Sequence, residues 1–327
     1  MMKEQAVISV IIPTYNRKEY LELTLNSFSP QIARNKDKVE VVVCNNASTD
    51  GTDDFLIRYA QNDNYFRYIN FDNHVNVGES IVRSNNEATG KYILMWGDDD
   101  IPAPFLIDAL LDAVLKFPDI CLFHYNRLYG QDNHIKSFNN VRVLNAQFPC
   151  KSVHESAIED LIESHILDMT FLSSILFLNE TWKSNDHLDC SSHFGYEFLG
   201  RILHGSEGKK ALYINYPLCI QRKPMTRSWM EDSPKYRFIG LPNMYRDFEK
   251  WGLINNAEDL WERQGNSFRD FLAVMSQTCL YKRKYRKLFF KMLESQKKVS
   301  RKVLTFIFIF LFPAPIYKFI RKRKFGY

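Results

Sequence analysis

Three consecutive aspartates, Asp98, Asp99 and Asp100, follow an apolar run that ends at Trp96. Adjacent carboxylates repel one another, and each loses hydration if it is partly buried. A cationic partner must offset that cost, so the triplet is a candidate cation-binding site. The simpler interpretation is a solvated turn or a helix N-terminus, where aspartate is common.

The first hundred residues alternate strand and helix patterns. Asn16, with Glu19 three residues later, has the spacing of a capping box and predicts a helix start. Helices are also predicted after the polar turn NNASTDGT and from Gly78 to Ala88. Short apolar runs typical of buried strands occupy residues 7–12 and 92–96, and further strands are predicted at 39–43 and 66–71. This alternation predicts βαβ units and a parallel sheet.

Polar clusters come directly after three of these strands. They are the turn Pro13-Thr14-Tyr15-Asn16, the pair Asn45-Asn46 and the aspartate triplet. Ligands of open parallel sheets bind beyond the carboxyl ends of the strands. The three clusters are therefore predicted to face one crevice.

The remainder of the chain is mixed. Strands are predicted at residues 120–128, 171–178 and 212–221, a helix at 153–167, and mostly helix from about Ser233. The six cysteines are scattered without metal-ligand spacing, which predicts reduced thiols, no structural zinc and no disulfide framework. The N-terminus leads at once into a strand-like run, so no secretory signal is expected.

The charge is unevenly distributed along the chain. From residue 282 onward there are 15 lysines and arginines against one acidic residue, Glu294, although the net charge of the whole chain is only +5.

The apolar run 303–312 is shorter than the roughly 20 residues that a membrane-spanning helix needs. An interfacial anchor on anionic lipid fits this end best. A last core helix is the alternative; nucleic acid is not an expected partner, because no nucleic-acid-binding module accompanies the basic residues.

Three segments in order carry a family resemblance: VISVIIPTYNRKEYLELTLNS, VEVVVCNNASTDGT and NVGESIVRSNNEATGKYILMWGDDDIP. Together they resemble family 2 glycosyltransferases, most of all bacterial O-antigen and capsule enzymes of the abequosyltransferase type. The resemblance implies an α/β fold of the GT-A class, a Rossmann-like nucleotide-binding sheet with a mixed acceptor-side extension and a C-terminal helical region. The expected divisions are a GT-A domain at 1–230 (donor half 1–100, acceptor half 101–230), a helical extension at 231–300 and a membrane-associating tail at 301–327.

The resemblance also implies a donor site. The turn Pro13-Thr14-Tyr15-Asn16 would contact the base and ribose of a nucleotide-diphosphate sugar. Asn45 stands where the family usually has an aspartate that reads the base edge, and asparagine offers a hydrogen-bond donor as well as an acceptor. Gly78 and Arg83 match a stretch that lies near the nucleotide, although Arg83 could equally be a surface cation.

For the aspartates, the resemblance implies a divalent cation, Mn²⁺ or Mg²⁺, that binds the donor diphosphate. Gly97 takes the place of the first aspartate of the usual motif, and Asp99 and Asp100 match the retained pair. We expect Asp99 to be the principal metal ligand, with Asp98 or Asp100 assisting through water. Asp98 is also expected to help bind the nucleotide, and Asp100 is also expected to be a catalytic residue.

The catalytic base of the family is usually a carboxylate at a helix start on the acceptor side. Glu197 matches that position, with Asp186 and Asp189 as rivals. His193 and His204 could be further metal ligands, although single histidines are more often packed or surface residues. Arg222 and Arg227 could reach the diphosphate from a loop.

The activity implied is transfer of one sugar to a glycan acceptor, polyprenyl-linked or otherwise, in surface polysaccharide synthesis. The enzyme would be cytoplasmic and peripheral on the inner face of the membrane, and the transfer would invert the anomeric carbon. Two alternatives remain at this stage. One is a nucleotidyltransferase, against which the glycine-free loop PTYNRKEY counts; the other is a non-catalytic nucleotide-sugar-binding component of an assembly complex.

Overall fold

A computed structural model divides the chain into two compact units, residues 1–188 with 201–226 and residues 189–200 with 227–327. The structure describes residues 5–61, 65–130, 153–222, 231–265, 271, 272, 274, 275, 278, 281–296 and 298–315.

The described part of the first unit is built on a nine-stranded sheet. Its strands in chain order are β1 Ile8–Thr14, β2 Val39–Asn45, β3 Phe66–Asn70, β4 Tyr92–Met95, β5 Ile101–Pro102, β6 Ile120–Tyr129, β7 Val153–Ala157, β8 Ile175–Leu178 and β9 Lys210–Gln221. The order across the sheet is β3-β2-β1-β4-β8-β6-β9-β5, and β7 pairs with β9. Strands β1 to β4 are mutually parallel, whereas β8 is antiparallel to both β4 and β6. The predicted parallel half of the sheet and its mixed extension are both confirmed.

Helices connect and cover these strands. They are α1 Lys18–Arg34, α2 Thr52–Ala60, α3 Val77–Asn85, α4 Leu106–Lys116, α5 Ile158–Met169, α6 Asn179–Ser184 and α7 Glu197–His204. Strands β1 and β2 are buried along almost their whole length, because helices pack on both sheet faces. Cys44, Cys121, Cys190 and Cys219 are buried free thiols; Cys150 and Cys279 lie outside the described residues.

Two local predictions are wrong. Asn16 does not cap α1: Arg17 occupies the N-cap position, and its own side chain makes no capping hydrogen bond. Instead Asn16 has a left-handed backbone with φ of 53°, and its side chain accepts a hydrogen bond from the Thr49 backbone N–H at 2.7 Å. The predicted helix at 153–167 begins only at Ile158, because residues 153–157 pair with β9 as an antiparallel strand. In both places a non-local contact overrides the local pattern.

The second unit is helical where it is described, as predicted from residue 233 onward. Its longer helices are Leu241–Lys250, Lys282–Glu294 and Val299–Phe306, with π-helical turns at Tyr236–Gly240, Trp261–Gly265 and Ile307–Leu311. Aromatic side chains form its core, with Phe238 in edge contact with both Trp261 and Phe271. No helix in the described parts of the chain combines the length and apolar character needed to cross a membrane.

Candidate active site

The three polar clusters meet at the carboxyl edge of the parallel strands. Thr14 and Asn45 are register partners at the ends of β1 and β2, and the Asn46 N–H donates to the Thr14 carbonyl at 2.9 Å. The Thr14 hydroxyl donates to Oδ2 of Asp98 at 2.8 Å. The first cluster therefore contacts both the second and the third directly.

The backbone of the aspartate turn, residues 97–100, is firmly held. The Asp100 N–H donates to the Gly97 carbonyl at 3.2 Å. The Thr24 hydroxyl of α1 contacts the carbonyls of Asp98 and Asp100 at 2.9 and 3.0 Å, and the Trp96 indole donates to the Asp100 carbonyl at 3.2 Å. The carboxylates are therefore presented by a fixed frame.

Arg17 is the cationic partner that the aspartates require. Its Nε lies 3.4 Å from Oδ1 of Asp98, and a terminal guanidinium nitrogen lies 2.7 Å from Oδ2 of Asp99. The guanidinium carbon lies 4.9 Å from the centre of the Tyr20 ring. Burial lowers the pKa of Arg17, but the charges of Asp98 and Asp99 outweigh it, so the net pKa is raised. One cation thus bridges two of the three carboxylates.

The position of Asp98 disfavours its ionisation. It is 6% exposed. Burial raises its pKa to about 6, the charge of Asp99 adds to that rise, and Arg17, Thr14 and Arg222 oppose it.

Asp100 has both carboxylate oxygens occupied by the protein. Oδ2 accepts a hydrogen bond from the Ser173 hydroxyl at 2.6 Å, and Oδ1 accepts one from the Arg222 backbone N–H at 3.3 Å. The same Ser173 oxygen accepts the Gly97 N–H at 2.8 Å. A Cβ on residue 97 would lie 2.8 Å from Oδ2 of Asp100, which explains why glycine stands at this position.

Arg222 lies inside the site rather than on an extended loop. It is 2% exposed, its Nε donates to the Asp99 carbonyl, and a terminal nitrogen donates to the Tyr20 carbonyl at 3.2 Å. Burial lowers its pKa, while Asp99 and Asp100 act in the opposite direction. Arg227, its predicted companion, lies outside the described residues.

On the nucleotide side, a chain of amides fixes the orientation of Asn45. Asn70 donates to Asp53 at 2.5 Å, Asn45 donates to Oδ1 of Asn70 at 2.9 Å, and the Ser48 N–H donates to Oδ1 of Asn45 at 3.1 Å. Because the Asp53 carboxylate can only accept, it sets the direction of both amides. Asn45 therefore has a defined donor side and a defined acceptor side.

The remaining residues that were predicted to bind the nucleotide lie at the end of β1 and on α3. Tyr15 stacks on His74 with ring centres 3.9 Å apart. Pro13 belongs to β1 and is partly exposed. Gly78 is buried in the first turn of α3, where Asn76 caps the helix by accepting the Glu79 N–H. Arg83 pairs with Glu79 at 2.5 Å and is 42% exposed on its side chain, so the structure places it on the helix surface.

Glu197 belongs to the second unit and begins α7. The following residues Phe198 and Leu199 are buried, as the sequence pattern predicts. The Oε2 atom of Glu197 is buried, and its charge acts to raise the pKa values of Lys235 and Tyr236. It is thus a shielded carboxylate at a helix start.

The competing acidic and histidine candidates have other contacts. Asp189 accepts the Ser191 N–H at 2.9 Å, and Asp186 is exposed beside His187. His193 is fully buried, with Nε2 2.9 Å from Asp247, and His204 lies 3.0 Å from the Asn185 side chain. Neither histidine belongs to a converging set of potential metal ligands in the described residues.

Comparison with known proteins identifies the family. The sequence model described as "Glycosyl transferase family 2" matches residues 9–159. Over 235 residues the chain is 44% identical to the abequosyltransferase RfbV of Salmonella typhimurium, a region that covers 66% of each chain. This chain belongs to glycosyl transferase family 2.

Solved structures place this family 2 glycosyltransferase among GT-A folds. The TarS 1–349 fragment of S. aureus superposes with a TM-score of 0.58 at 15% identity, covering 88% of this chain and 80% of that one. The mannosyltransferase PcManGT of Pyrobaculum calidifontis superposes with a TM-score of 0.52 at 13% identity, covering 98% and 88%. At such identities the likeness concerns the fold alone.

Two residues that contact the aspartate carboxylates, Arg17 and Ser173, escaped the sequence analysis. Arg17 follows the PTYN turn directly, and its position one residue beyond that motif was the available signal. Ser173 carried no signal, because a serine in a mixed segment has no pattern of its own. Both act on aspartates more than 70 residues away in sequence.

The raised pKa of Asp98 predicts a specific pH dependence of stability. The value of about 6 exceeds the usual carboxyl value of about 4, so folding favours the protonated form. This contribution is fully present below about pH 4 and is lost as the pH rises through about 6. Asp98→Asn, neutral at every pH, should not show that loss.

Urea unfolding of the wild type and of Asp98→Asn between pH 4 and 8 tests this expectation. The unfolding free energy of the wild type should decrease relative to the variant as the pH rises from 4 to 6. Asp112→Asn, an exposed partner of Lys116, serves as the control. Parallel curves for the wild type and Asp98→Asn would show that Asp98 does not titrate in this range.

Proposed function

We propose that this glycosyltransferase moves a single sugar from a nucleotide-diphosphate sugar to a glycan acceptor of a surface polysaccharide such as O-antigen or capsule. The observation that carries the proposal is the contact between the donor-side turn and the aspartate turn, made by Thr14 with Asp98. Its relatives support it: one is an abequosyltransferase, and TarS has been solved with UDP-GlcNAc.

A divalent cation, Mg²⁺ or Mn²⁺, fits the aspartate turn. Asp98 and Asp99 already direct one oxygen each at a single cation, the guanidinium of Arg17. Oxygen ligands suit these hard ions, and PcManGT was solved with GDP-Man and Mn²⁺. When bound, the ion would neutralise the diphosphate as it leaves. We propose Asp99 as its principal ligand, assisted through water by Asp98 or Asp100.

The protein's own residues supply the rest of the donor site in this proposal. Ser173 and Arg222 hold Asp100 and thereby fix the turn that carries Asp99. Arg17 orients the carboxylates of Asp98 and Asp99 before the donor enters, and it would then pair with the diphosphate. Tyr15 and Asn45 would contact the base, and Glu197 would take the acceptor proton during an inverting transfer.

We further propose that the acceptor is lipid-linked and that the enzyme is peripheral on the cytoplasmic face of the membrane. The support is a surface of the second unit. Phe290 is 76% exposed on the helix Lys282–Glu294, which also carries six lysines and arginines. Val303 and Leu311 are more than half exposed nearby in sequence. Exposed apolar residues beside basic ones are typical of interfacial membrane binding.

Replacing Phe290, Val303 and Leu311 together by serine should weaken binding to phosphatidylglycerol vesicles by more than about tenfold, because it removes the inserted apolar surface. Vesicle sedimentation measures this. Deletion of residues 303–327 should also abolish binding, but it removes the buried Thr305 and Ile309 as well. The control replaces the exposed Ile57 and Leu115 of the first unit by serine. Equal binding of the triple variant and wild type would rule out this surface.

Nucleotide calorimetry tests the donor proposal directly. UDP, CDP, dTDP and GDP are titrated into the protein, each with Mn²⁺ and with EDTA. We expect one nucleotide to bind, and to bind more tightly with the metal; its commercially available sugar conjugates are then tested for metal-dependent turnover. Binding without any turnover favours the non-catalytic alternative. Release of diphosphate from a nucleoside triphosphate would indicate a nucleotidyltransferase.

Asn45→Asp should change the order of nucleotide affinities. The carboxylate can still accept the hydrogen bond from the Ser48 N–H, but it can no longer donate one to Asn70. The side chain at residue 45 would then offer the base only hydrogen-bond acceptors. Affinity for the preferred nucleotide should fall by about tenfold, the value of one hydrogen bond. The same calorimetric series measures it, with the exposed Asn26→Asp as control. An unchanged order would exclude Asn45 from base recognition.

A further inference from the structure

A second set of potential metal ligands lies in the first unit. It shares no residue with the aspartate turn. It consists of His124 on β6 with His165 and Asp168 on α5. One ligand atom from each lies within 4.8 Å of the other two, and no other converging trio of His, Cys, Asp or Glu occurs in the described residues. None of the three residues has a part in the proposed transfer.

The first histidine is held in a single tautomer by a backbone carbonyl. Nδ1 of His124 lies 3.1 Å from the carbonyl oxygen of Ser174. A carbonyl only accepts, so Nδ1 carries the hydrogen and Nε2 keeps its lone pair. A backbone carbonyl on the second ring nitrogen is the usual support of a metal-bound histidine.

The other two ligands are oriented by neighbours. The His165 ring stacks on Tyr213 with centres 4.2 Å apart, and its Nδ1 lies 3.7 Å from Oδ2 of Asp168. Arg127 binds the other carboxylate oxygen of Asp168 at 3.1 Å. Arg127 thus directs Oδ2 toward the histidines, although its charge also reduces the attraction for a cation.

We propose that His124, His165 and Asp168 bind a transition-metal ion of the zinc class. Two imidazoles and one carboxylate, with a water as fourth ligand, form a common zinc environment, whereas Mg²⁺ requires oxygen ligands. Zinc ligands stand roughly 3.3 Å apart in a tetrahedral site, so the side chains must close by about 1.5 Å. Closing the site requires His165 to shift against Tyr213 and Asp168 to shift against Arg127, while the buried His124 provides the fixed point.

Such an ion would join α5 to β6 beside the turn Leu172–Ser174. That turn also supplies Ser173, whose hydroxyl holds Asp100 and the Gly97 N–H. The site is therefore suited to stabilising the frame of the aspartate turn without touching the donor.

The test uses full-length protein without a polyhistidine tag, stripped with a chelator and dialysed. Zn²⁺ calorimetry should show one site, and Co²⁺ should give the visible absorption of a histidine-bound ion. His165→Gln and Asp168→Asn should each weaken Zn²⁺ binding more than about tenfold. The matched controls His187→Gln and Asp186→Asn change an exposed histidine–aspartate pair elsewhere and should bind like the wild type.

Results of two kinds would overturn this proposal. The first is wild-type affinity in both His165→Gln and Asp168→Asn, or no Zn²⁺ binding by the wild type; the cluster is then an aromatic stack with an ion pair. The second is loss of Zn²⁺ binding in Asp99→Asn alone, which would place the ion at the aspartate turn. Thermal unfolding of the metal-free variants checks that each one folds. If His165→Gln does not fold, Asp168→Asn alone decides the test.

Discussion

Asp99→Asn is expected to abolish metal-dependent turnover while leaving the fold intact. The substitution keeps the size of the side chain and one carbonyl oxygen but removes the negative charge that would bind the cation. Arg17 keeps its contact with Asp98, so the local ion pair is not lost entirely. Because metal stabilisation of a leaving diphosphate contributes several kcal/mol, turnover should fall by at least about a hundredfold.

The measurement is donor turnover with increasing Mn²⁺, together with nucleotide calorimetry with and without the metal. The variant should lose the metal-induced gain in nucleotide affinity and keep the thermal unfolding profile of the wild type. Asp112→Asn makes the same chemical change at an exposed position paired with Lys116 and should behave like the wild type. Normal metal-dependent turnover in Asp99→Asn would remove this residue from the mechanism.

Arg17 adds a second consequence to this expectation. It shares its charge between Asp98 and Asp99, so a cation entering the turn must compete with an ion pair already formed. This arrangement explains how three adjacent aspartates can be stable at a strand end: a guanidinium offsets their charge and the backbone is fixed by Thr24 and Trp96.

The strands and the crevice could be predicted because their signals are local. The run at β1 is apolar and ends in a turn, and parallel strands then bring their carboxyl ends to one edge. The features that could not be predicted depend on contacts with residues far away in the sequence. The conformation of Asn16 is set by the loop at Thr49, and β7 exists because it pairs with β9.

The same distinction applies within the site. The aspartates were recognisable from composition and position, but their counter-charge and support were not. Arg17 and Asp99 are 82 residues apart, and Arg222 reaches the Asp99 carbonyl from 123 residues away. Sequence reasoning placed Arg222 near the diphosphate on a loop, whereas the structure builds it into the frame of the turn. Long-range ion pairs leave no periodicity in a single sequence.

Glu197→Gln is expected to reduce turnover by about 10² to 10⁴, the usual contribution of a general base. Glutamine matches the shape of glutamate but cannot take a proton. Phe198 and Leu199, which anchor this end of α7, are unchanged, so the helix should remain in place. Nucleotide affinity with Mn²⁺ should equal that of the wild type, because the proposed role concerns the acceptor and not the donor.

Parallel substitutions of the rival carboxylates make this test decisive. Asp186→Asn alters an exposed residue, and Asp189→Asn alters one that accepts the Ser191 N–H. Both should retain turnover if Glu197 is the base, although Asp189→Asn can lower stability slightly by removing that hydrogen bond. Retained turnover in Glu197→Gln with loss in Asp186→Asn or Asp189→Asn would transfer the role to the affected rival. Loss of nucleotide binding in Glu197→Gln would instead show that this carboxylate supports the donor site.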